Sequence, residues 1–505
     1  MCGIVAGVSY RNIVPILTEG LRRMEYRGYD SCGVAVVDDG QLKRSRTVKR
    51  VQDLIRQTEE DEVKGSTGIA HTRWATHGAP EIRNTHPLFS NNQIAVVHNG
   101  IIENYAAIKE ELIGKGYEFV SQTDTEVIAH LVHYYYKGDL LGAVENVLRR
   151  IRGAFALAIS CKDEPGRIVA ARVAAPLVIA LGENENFVAS DIPAIINYTR
   201  DTYILSDNEL AIVTRDNVSV FDREGNAIDK EVFHVSWNAE AAEKGGYEHF
   251  MLKEIHDQPK AVRDTFGTHI SEDGKTAIFD ELNWTADDVA AFNKILIVAC
   301  GTAYHAGLVT KQYIENLARI PVSVEIASEY RYSNPLTDDK TLCIVISQSG
   351  ETSDTLAALK EAKRLGAKSL AITNVVGSSI SREADNTVYT WAGPEISVAS
   401  TKAYTTQLVA GLLFAVYLGQ LNGKMDPALG GEILCGVKSL PTLIHEIFEV
   451  DEDMKAFAKH YGFKSDAFFL GRAIDYAVAM EGALKLKEIS YIHAEAYAGG
   501  ELKHG

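Results

Sequence analysis

The chain opens with the residues MCGIVAG, positions 1–7, and the interpretation of its first half depends on this stretch. Cys2 is small enough for the initiator methionine to be removed, which would leave a residue with both a thiol and a free α-amine. An α-amine has a pKa of about 7.7–8.0, so it can act through a water molecule as general base for the thiol beside it. The alternative is that Cys2 is a small buried apolar residue at the start of a strand, as most free cysteines are.

Length and composition describe a globular chain of several domains. At 505 residues the chain has room for roughly three of them. The formal net charge of -17 argues against a nucleic acid or an anionic membrane as partner, because both require a positive surface. The six cysteines lie far apart without a C-x-x-C pair, which predicts a reducing compartment and neither a zinc site nor a disulfide framework. Since no stretch approaches about 18 apolar residues and no signal sequence is evident, we expect a cytoplasmic protein.

Strand-like runs and helical patterns mix irregularly over the first 235 residues. Ile13, Leu17 and Leu21 fall on one face of a helix, and further helices are predicted over about 104–115 and 124–136. Strands are predicted over 3–8, 33–37, 68–71, 93–98, 154–160, 177–181 and 209–213. Many strands with few helices predict an α+β domain in which helices cover stacked sheets.

Polar clusters lie at the ends of several of these elements. YRGYDS (26–31) links the first helix to the next strand, and GIAHTRWATHG (68–78) and HNG (98–100) lie where two further strands end. Thr123 and Glu126 have the spacing of a capping box at the start of a helix. Each cluster alone is compatible with ordinary turn or surface chemistry, since Asn-Gly commonly forms a tight turn and an arginine can pair with any nearby carboxylate.

In combination with the first residues, these clusters resemble the N-terminal-nucleophile glutamine amidotransferases, and the resemblance covers residues 2–235. It implies that Cys2 attacks the carboxamide carbon of glutamine and releases ammonia, leaving a glutamyl thioester that water cleaves. The side chain of Asn99 and the N–H of Gly100 would form the oxyanion hole. Loss of one such donor typically costs about 2.7–4 kcal/mol of transition-state stabilisation.

The same resemblance implies a binding site for free glutamine. Arg73 would bind the α-carboxylate with its forked guanidinium. Asp124 would bind the α-ammonium and would be kept ionised by its place at a helix N-terminus. The other residues that would line the pocket are Trp74, Thr76 and His77. Trp74 is also a candidate gate for ammonia, whereas the run RVAAP at 172–176 is expected to be an altered loop remote from the nucleophile.

Residues 236–284 are polar and partly helical, and we interpret them as a linker between two strand-rich regions. Strands and helices then alternate over residues 285–430, which predicts a doubly wound α/β layer with a mostly parallel sheet. Ligands in such sheets bind beyond the carboxyl ends of the strands, at helix N-termini. Polar clusters lie at such positions: CGT (300–302), SQSGET (347–352) and VASTK (398–402).

The SQSGET cluster places several hydroxyl groups around Gly350 where a helix begins. Hydroxyls and backbone N–H groups can together bind a phosphate monoester, and the cluster has neither of the glycine patterns of nucleotide sites. The alternative is a serine-rich helix cap. The region resembles a sugar-isomerase (SIS) domain, which binds phosphosugars. By that resemblance the phosphate would be held by Ser347, Gln348, Ser349 and Thr352, and the sugar by Thr302, Val398 and Ser400.

Residues 431–505 look like the start of a second, incomplete module of the same type, because the run AFFLGR at 467–472 repeats the strand and turn that open the first module. Lys485 and Glu488 lie three apart on one face of the next helix, which alone is compatible with a solvated ion pair. By resemblance, Glu488 would move the proton between C1 and C2 of the open-chain sugar, with Lys485 beside it. His504 would open the sugar ring, in the site of a neighbouring subunit.

The order of amidotransferase, linker and SIS modules resembles the family of aminotransferases that make glucosamine 6-phosphate, the first step of hexosamine synthesis. The resemblance implies glutamine and fructose 6-phosphate as substrates, internal transfer of ammonia, a homodimer, and no metal or organic cofactor. Because the family's Schiff-base lysine lies in a C-terminal tail absent from these 505 residues, we expect glutaminase activity with an impaired synthase step. The alternatives are another amidotransferase, which would need a nucleotide or pyrophosphate loop, and a non-catalytic phosphosugar sensor.

Overall fold

The computed structural model describes residues 2–25, 28–75, 77–235 and 244–504. The chain divides into two compact units, Met1–Ala239 and Glu240–Gly505. The strands of the first unit are β1 Gly3–Ser9, β2 Ser31–Asp38, β3 Gln41–Thr47, β4 Thr67–Arg73, β5 Leu88–Ser90, β6 Ile94–Ile102, β7 Gly153–Cys161, β8 Arg167–Val173, β9 Val178–Leu181, β10 Glu185–Ala189, β11 Asp201–Ile204, β12 Leu210–Thr214, β13 Val218–Phe221, β14 Ala227–Ile228 and β15 Phe233–His234. Its helices are α1 Val14–Arg23, α2 Val51–Glu60, α3 Tyr105–Gly114, α4 Glu126–Tyr135 and α5 Leu140–Leu148.

Two antiparallel sheets stack face to face in the first unit. In the described residues their strand orders are β15-β11-β9-β10-β1-β4-β2-β3 and β14-β13-β12-β8-β7-β6-β5. Ile4, Ile69 and Val97 are fully buried between the sheets. Because side chains alternate between the two faces of a strand, each sheet also carries an outer apolar layer. Helices α1 and α2 cover one of these layers and α3, α4 and α5 the other, which confirms the predicted α+β domain.

The stretch that opens the chain forms a central strand of the first sheet. β1 is buried along its whole length and pairs with β4 on one side and β10 on the other. Ile13, Leu17 and Leu21 are fully buried beneath it, so the apolar face expected for α1 is present. A strand buried on both faces needs a continuous apolar sequence, and this is what residues 3–8 supply.

Asn99 and Gly100 lie inside β6, so the alternative of a tight Asn-Gly turn does not apply. One local expectation is wrong. The capping box of Thr123 and Glu126 does not form, because α4 begins at Glu126 and its N-cap residue makes no side-chain hydrogen bond. The Glu126 carboxylate instead accepts the backbone N–H groups of residues 120 and 121, at 3.0 and 2.7 Å, and so fixes the loop before the helix.

The second unit contains a parallel sheet followed by a smaller one. Its strands are β16 Lys294–Ala299, β17 Val322–Ile326, β18 Thr341–Ser347, β19 Lys368–Thr373, β20 Asn386–Tyr389, β21 Asp466–Gly471 and β22 His493–Ala498. Its helices are α6 Phe250–Phe266, α7 Ala286–Ala290, α8 Gly301–Leu317, α9 Ala327–Tyr330, α10 Ser353–Arg364, α11 Ser379–Glu383, α12 Lys402–Leu421, α13 Pro427–Ile447, α14 Asp451–Tyr461 and α15 Ile474–Ser490.

The larger sheet confirms the doubly wound layer. Its order is β17-β16-β18-β19-β20, and all of its neighbouring strands are parallel. The order reverses between β16 and β18, so the helices that follow these two strands leave in opposite directions. Such a switch point opens a crevice at the carboxyl ends of the strands, where ligands bind. Residues 300–302 and 347–352 follow these two strands.

Helix α12 is the core helix of the second unit. Leu413, Phe414 and Val416 are fully buried against the parallel sheet. Among the described residues α12 is the one helix long and apolar enough to cross a membrane, but most of it lies inside the fold, as in the core helix of a globular unit. The smaller sheet, β21 and β22, is less covered, and Phe468 and Leu470 on β21 are exposed.

Candidate active sites

Cys2 lies immediately before β1 and is half-buried. The backbone N–H of Trp74 donates to Cys2 Sγ at 3.3 Å, and Sγ lies 3.6 Å from the carbonyl oxygen of Trp74. Burial raises the pKa of the Cys2 thiol, and the hydrogen bond with Trp74 offsets part of this effect. Because a raised pKa makes the thiolate scarce at neutral pH, a nucleophile at this position needs a base beside it.

Asn99 reaches Cys2 from the second sheet of the same unit. Its Nδ2 donates to the Cys2 carbonyl at 3.0 Å and to Ser190 Oγ at 2.8 Å. Its Oδ1 lies 2.9 Å from His71 Nε2. The next residue, Gly100, has a φ of +122°, and a Cβ there would lie 2.0 Å from the Ala154 carbonyl oxygen. The sequence therefore needs glycine immediately after the amide that contacts the nucleophile.

Arg73 ends β4 and is buried. Its guanidinium donates to the carbonyls of Gly78 at 2.9 Å and Ala79 at 3.2 Å, which folds the following loop back onto it. Burial lowers the pKa of Arg73, and nearby Asp30, Cys2 and Asp124 act in the opposite direction. The structure thus places the two residues predicted to bind the α-groups of glutamine, and the nucleophile, within electrostatic reach of one another.

The loop after Arg73 presents a large aromatic side chain. Trp74 is exposed, and its ring packs edge-on against Tyr29 at 5.2 Å between ring centroids. The N–H of Ala75 donates to Asp30 Oδ2, which anchors the loop to the residue before β2. His77 packs edge-on against Tyr105 at 5.8 Å. Thr76, the remaining residue predicted to line the pocket, lies outside the described residues.

Asp124 is buried just before α4, close to the predicted helix N-terminus. Its Oδ2 accepts the N–H of Ile102 at 2.8 Å. Since Ile102 ends the strand that carries Asn99, this hydrogen bond fixes the carboxylate relative to the amide. The remaining oxygen, Oδ1, lies 3.5 Å from Thr125 Oγ1, a long contact. A carboxylate with one strong backbone donor keeps further acceptor capacity for an ammonium group.

A cluster of buried histidines lies beneath Asn99 and was not predicted. The rings of His71 and His86 are 4.3 Å apart between centroids, and His98 Nδ1 lies 2.8 Å from Thr125 Oγ1. Burial lowers the pKa of His71 to about 3 and that of His98 to about 4. The pKa of His86 is lowered by burial as well. All three side chains are therefore neutral at physiological pH.

The hydroxyl cluster of the second unit closes a tight turn between β18 and α10. Ser347 Oγ accepts the N–H of Gly350 at 3.1 Å and lies 3.0 Å from Thr352 Oγ1. Ser349 Oγ accepts the N–H of Glu351 at 3.1 Å. Gly350 has a φ of +64°, and a Cβ there would lie 1.9 Å from an oxygen of the neighbouring loop, Ser378 Oγ. The carbonyl of Gln348 accepts the N–H of Asn374 at 3.2 Å, which holds the turn from the other side.

The residues predicted to isomerise the sugar, Lys485 and Glu488, are connected by hydrogen bonds to Thr302 at the start of α8. Lys485 Nζ donates to Thr302 Oγ1 at 2.9 Å and forms an ion pair with Glu488. Thr302 Oγ1 also donates to Glu481 at 2.9 Å, and His305 Nδ1 lies 2.7 Å from the other oxygen of that carboxylate. Sequence reasoning did not find His305 and Glu481, although Glu481 lies on the same helical face as Lys485.

The other predicted sugar contacts, Val398 and Ser400, form no side-chain hydrogen bond with this network in the described residues. Val398 is exposed, and Ser400 Oγ donates to Glu395 at 2.8 Å. His504 lies on the exposed turn Leu502–His504 and is not among the side-chain partners of Lys485 or Glu488 in the described part of the chain. Among the described residues, no group of His, Cys, Asp and Glu side chains is arranged to bind a metal ion.

Comparison with known proteins identifies both kinds of domain. The glutamine amidotransferase domain model matches residues 71–197, and the SIS domain model matches residues 290–417 and 464–505. Over its whole length the chain is 56% identical to the glutamine--fructose-6-phosphate aminotransferase [isomerizing] of Clostridium tetani, of which it covers 83%. The chain belongs to the glutamine–fructose-6-phosphate aminotransferase family.

Other members of the family, and a solved structure, give the same result. The enzyme of that name from Caldanaerobacter subterraneus is 55% identical over the whole chain, which covers 83% of it. The solved C-terminal domain of glucosamine-fructose-6-phosphate aminotransferase from Francisella tularensis is 43% identical, with a TM-score of 0.50. That match covers 52% of this chain and 73% of the solved chain.

Proposed function

We propose that this chain catalyses the glutamine-dependent amination and isomerisation of fructose 6-phosphate to glucosamine 6-phosphate. The observation that carries this proposal is the contact of Asn99 and Trp74 with Cys2, in a chain of this family that also forms the hydroxyl-lined turn at 347–352. A phosphosugar sensor without catalysis would leave the buried arrangement around Cys2 unexplained.

In the glutaminase step, the α-amine of Cys2 takes the thiol proton through a water, and Sγ attacks the carboxamide carbon of glutamine. The oxyanion that forms accepts hydrogen bonds from Asn99 Nδ2 and Gly100 N–H. The α-carboxylate of glutamine binds Arg73, and its α-ammonium binds Asp124. The α-ammonium of Cys2 returns the thiol proton to the leaving nitrogen, collapse of the intermediate releases ammonia, and water then cleaves the thioester to glutamate and restores the thiol. The remaining pocket residues are Trp74, Thr76 and His77.

In the sugar site, the phosphate binds Ser347, Gln348, Ser349 and Thr352. Thr302, Val398 and Ser400 contact the sugar. His504 opens the ring, and Glu488 moves the proton between C1 and C2, with Lys485 beside it. Because Lys485 bonds to both Glu488 and Thr302, this helix can orient the proton-transferring carboxylate against the residue that holds the sugar.

The proposed organisation is an amidotransferase domain over 2–235, a linker over 236–284, a first SIS domain over 285–430 and the start of a second over 431–505. Ammonia passes internally from the first site to the second, which keeps it unprotonated. We further propose a cytoplasmic homodimer, in which His504 serves the neighbouring subunit, and activity without a metal or organic cofactor.

Separate assays of the two half-reactions test this function. Glutamate release is measured with and without fructose 6-phosphate, alongside formation of glucosamine 6-phosphate, and intact mass shows whether Met1 has been removed. Cys2→Ala should abolish glutamate release, whereas Ser347→Ala should keep it and lose use of the sugar. Active protein that retains Met1, or glutamate release by Cys2→Ala, would contradict the proposal.

A further inference from the structure

The hydrogen bonds of the Asn99 side chain define which way its amide points. At one end the amide faces the Cys2 carbonyl at 3.0 Å, and a carbonyl can only accept, so this end must be Nδ2. At the other end Oδ1 lies 2.9 Å from His71 Nε2. Rotation of the amide by half a turn would place two oxygens against each other at the Cys2 end.

The hydrogen-bond partners of His71 likewise define which of its ring nitrogens carries the proton. Nε2 lies 3.0 Å from the carbonyl oxygen of His98 as well as near Asn99 Oδ1, so both of its neighbours are acceptors. A neutral imidazole has one N–H, and two acceptors at Nε2 require that N–H to be there. The side chain is 1% exposed, on strand β4, so water does not compete for the bond.

The neighbouring histidines support this assignment. The N–H of His98 points to His86 Nδ1 at 3.5 Å, a long hydrogen bond in which His86 accepts. The His86 ring stacks at a tilt over His71, which leaves little room for the His71 ring to turn over. The cluster therefore holds one tautomer and one ring orientation of His71 beneath the Asn99 amide.

We propose that His71 is a positioning residue for glutamine hydrolysis, which locks the Asn99 amide with its N–H end toward the oxyanion formed on the carbon that Cys2 attacks. This inference rests on the proposed glutaminase function and on the role of Asn99 within it. Without the His71 donor, only the contacts of Nδ2 with the Cys2 carbonyl and Ser190 Oγ orient the amide, so its N–H end is held less firmly toward the developing negative charge. An arrangement that is fixed before the reaction costs no reorganisation in the transition state, and this is the source of its catalytic effect.

Two substitutions of matched length separate the hydrogen bond from packing. His71→Met removes the donor, whereas His71→Gln keeps an N–H donor at similar reach. We expect His71→Met to lower the kcat of glutamate release about 10- to 100-fold, somewhat less than the roughly 10²–10³-fold loss typical for deletion of an oxyanion donor. The KM for glutamine should change less than about twofold, because Arg73 and Asp124 bind the α-groups. His71→Gln should recover most of the lost kcat.

A double-mutant cycle with Asn99→Ala tests whether His71 acts through Asn99. In the Asn99→Ala background His71→Met should cause no further loss of kcat, since there is no amide left to orient. Equal losses in both backgrounds, or equal losses for the methionine and glutamine variants, would overturn the proposal. If Asn99→Ala itself left kcat unchanged, the oxyanion role of Asn99 in the proposed function would be wrong, independently of His71.

Folding is followed by the thermal unfolding midpoint and by stoichiometric labelling of Cys2 with an electrophilic glutamine analogue. A variant that labels fully yet turns over slowly has an intact pocket and a misaligned oxyanion site, as we expect. Should His71→Met fail to fold, His71→Asn replaces it, because its shorter amide keeps a polar group in the cluster without reaching Asn99. An Asn variant with wild-type kcat would overturn the proposal.

Discussion

Gly100 shows how strictly one residue of the glutaminase site depends on the absence of a side chain. Its φ is +122°, and a Cβ would lie 2.0 Å from the Ala154 carbonyl oxygen across the β6–β7 pair. We expect Gly100→Ala to lower the free energy of unfolding by about 2–4 kcal/mol, from strain and collision together. Denaturant unfolding measures this loss, and glutamate release should fall with it because the neighbouring Asn99 shifts.

A matched control for Gly100→Ala is Gly114→Ala. Gly114 ends helix α3, and a Cβ there would meet nothing within 4 Å. Alanine should be neutral or stabilising by up to about 1 kcal/mol at this position. Similar stability of the two variants would mean that the backbone at residue 100 relaxes freely and that glycine is not required.

Asp124→Asn tests the proposed recognition of the α-ammonium of glutamine. Asparagine keeps an acceptor for the Ile102 N–H, so the fold should be preserved. Loss of the charge removes a charge-assisted hydrogen bond of about 1.5–3 kcal/mol, so the KM for glutamine should rise about 10- to 100-fold with a smaller change in kcat. Steady-state kinetics measure both constants, with the KM for fructose 6-phosphate as internal control. An unchanged KM for glutamine would assign the ammonium to another residue.

At the scale of single residues, the sequence pointed to residues whose side-chain type and immediate neighbours match a known motif. Cys2 and Arg73 are of this kind. Ser190, which binds the Asn99 amide, was missed, because it lies 91 positions away in an ordinary strand end. His71 was part of a quoted cluster but received no role. A hydrogen-bond partner distant in sequence leaves no local pattern, so only the folded chain reveals it.

Among the elements, the central strand β1 was predicted and the edge strand β3 was not, although β8 and β10, which also lie inside their sheets, were missed as well. β1 is buried along its whole length, and a continuous apolar run indicates such a strand. β3, at the edge of the same sheet, reads QLKRSRT and buries only Ser45 and Thr47. An edge strand has one partner and one covered face at most, so its sequence need not be apolar and gave no signal.

The turn between β18 and α10 yields an element-scale prediction for the sugar site. Gly350→Ala would place a Cβ 1.9 Å from Ser378 Oγ in a residue whose φ is +64°, so the turn must deform. We expect the KM for fructose 6-phosphate to rise at least about tenfold while glutamate release without the sugar stays unchanged. Gly436→Ala in α13, where a Cβ meets nothing within 4 Å, serves as control. An unchanged KM would place the phosphate elsewhere.

Helix α6 fixes the loop that carries Val398 and Ser400. The buried Glu254 carboxylate accepts the N–H groups of Ile396 and Ser397, at 2.5 and 3.1 Å. Burial raises the pKa of Glu254 from 4.5 to about 7, with nearby Glu395 adding to the shift and Lys402 opposing it. A raised pKa in the folded state gives stability that is full below pH 4.5 and is lost as the pH rises through about 7.

Glu254→Gln should therefore flatten the dependence of stability on pH. The unfolding midpoint of the wild type should fall relative to that of the variant between about pH 4.5 and 7, and the difference should level off above that range. Thermal unfolding across this range measures it, with substitution of the exposed Glu272 by glutamine as control. Parallel curves for wild type and Glu254→Gln would show that Glu254 does not titrate in this window.

For the whole molecule, the sequence predicted two kinds of fold in the correct order, because period-two strands and alternating strand–helix patterns differ over long stretches. The sequence could not predict which helices pack against each other within a unit. The bond from Lys485 on α15 to Thr302 on α8 joins positions 183 apart and depends on how those helices pack. Such packing follows from the assembled core rather than from any local run.

The proposed homodimer leads to a prediction about shared sites. His504 is exposed and is not a side-chain partner of Glu488 in the described residues, as expected if it serves a neighbouring subunit. If so, mixing His504→Gln and Glu488→Gln chains gives hybrids with one intact site, because each supplies the residue that the other lacks. Random pairing makes about half of the dimers hybrids, with one working site of two, so about a quarter of wild-type activity should return.

Incorporation of solvent deuterium at C1 of fructose 6-phosphate is the measurement for this mixing, because it requires ring opening and proton transfer but not the amination step. Each variant alone should be inactive in this exchange and should keep its glutamate release, which shows that the first unit is intact. If His504 served its own subunit, every site in every hybrid would lack one of the two residues, and no activity would return. Recovery of exchange therefore separates a site shared between subunits from one completed within a single chain.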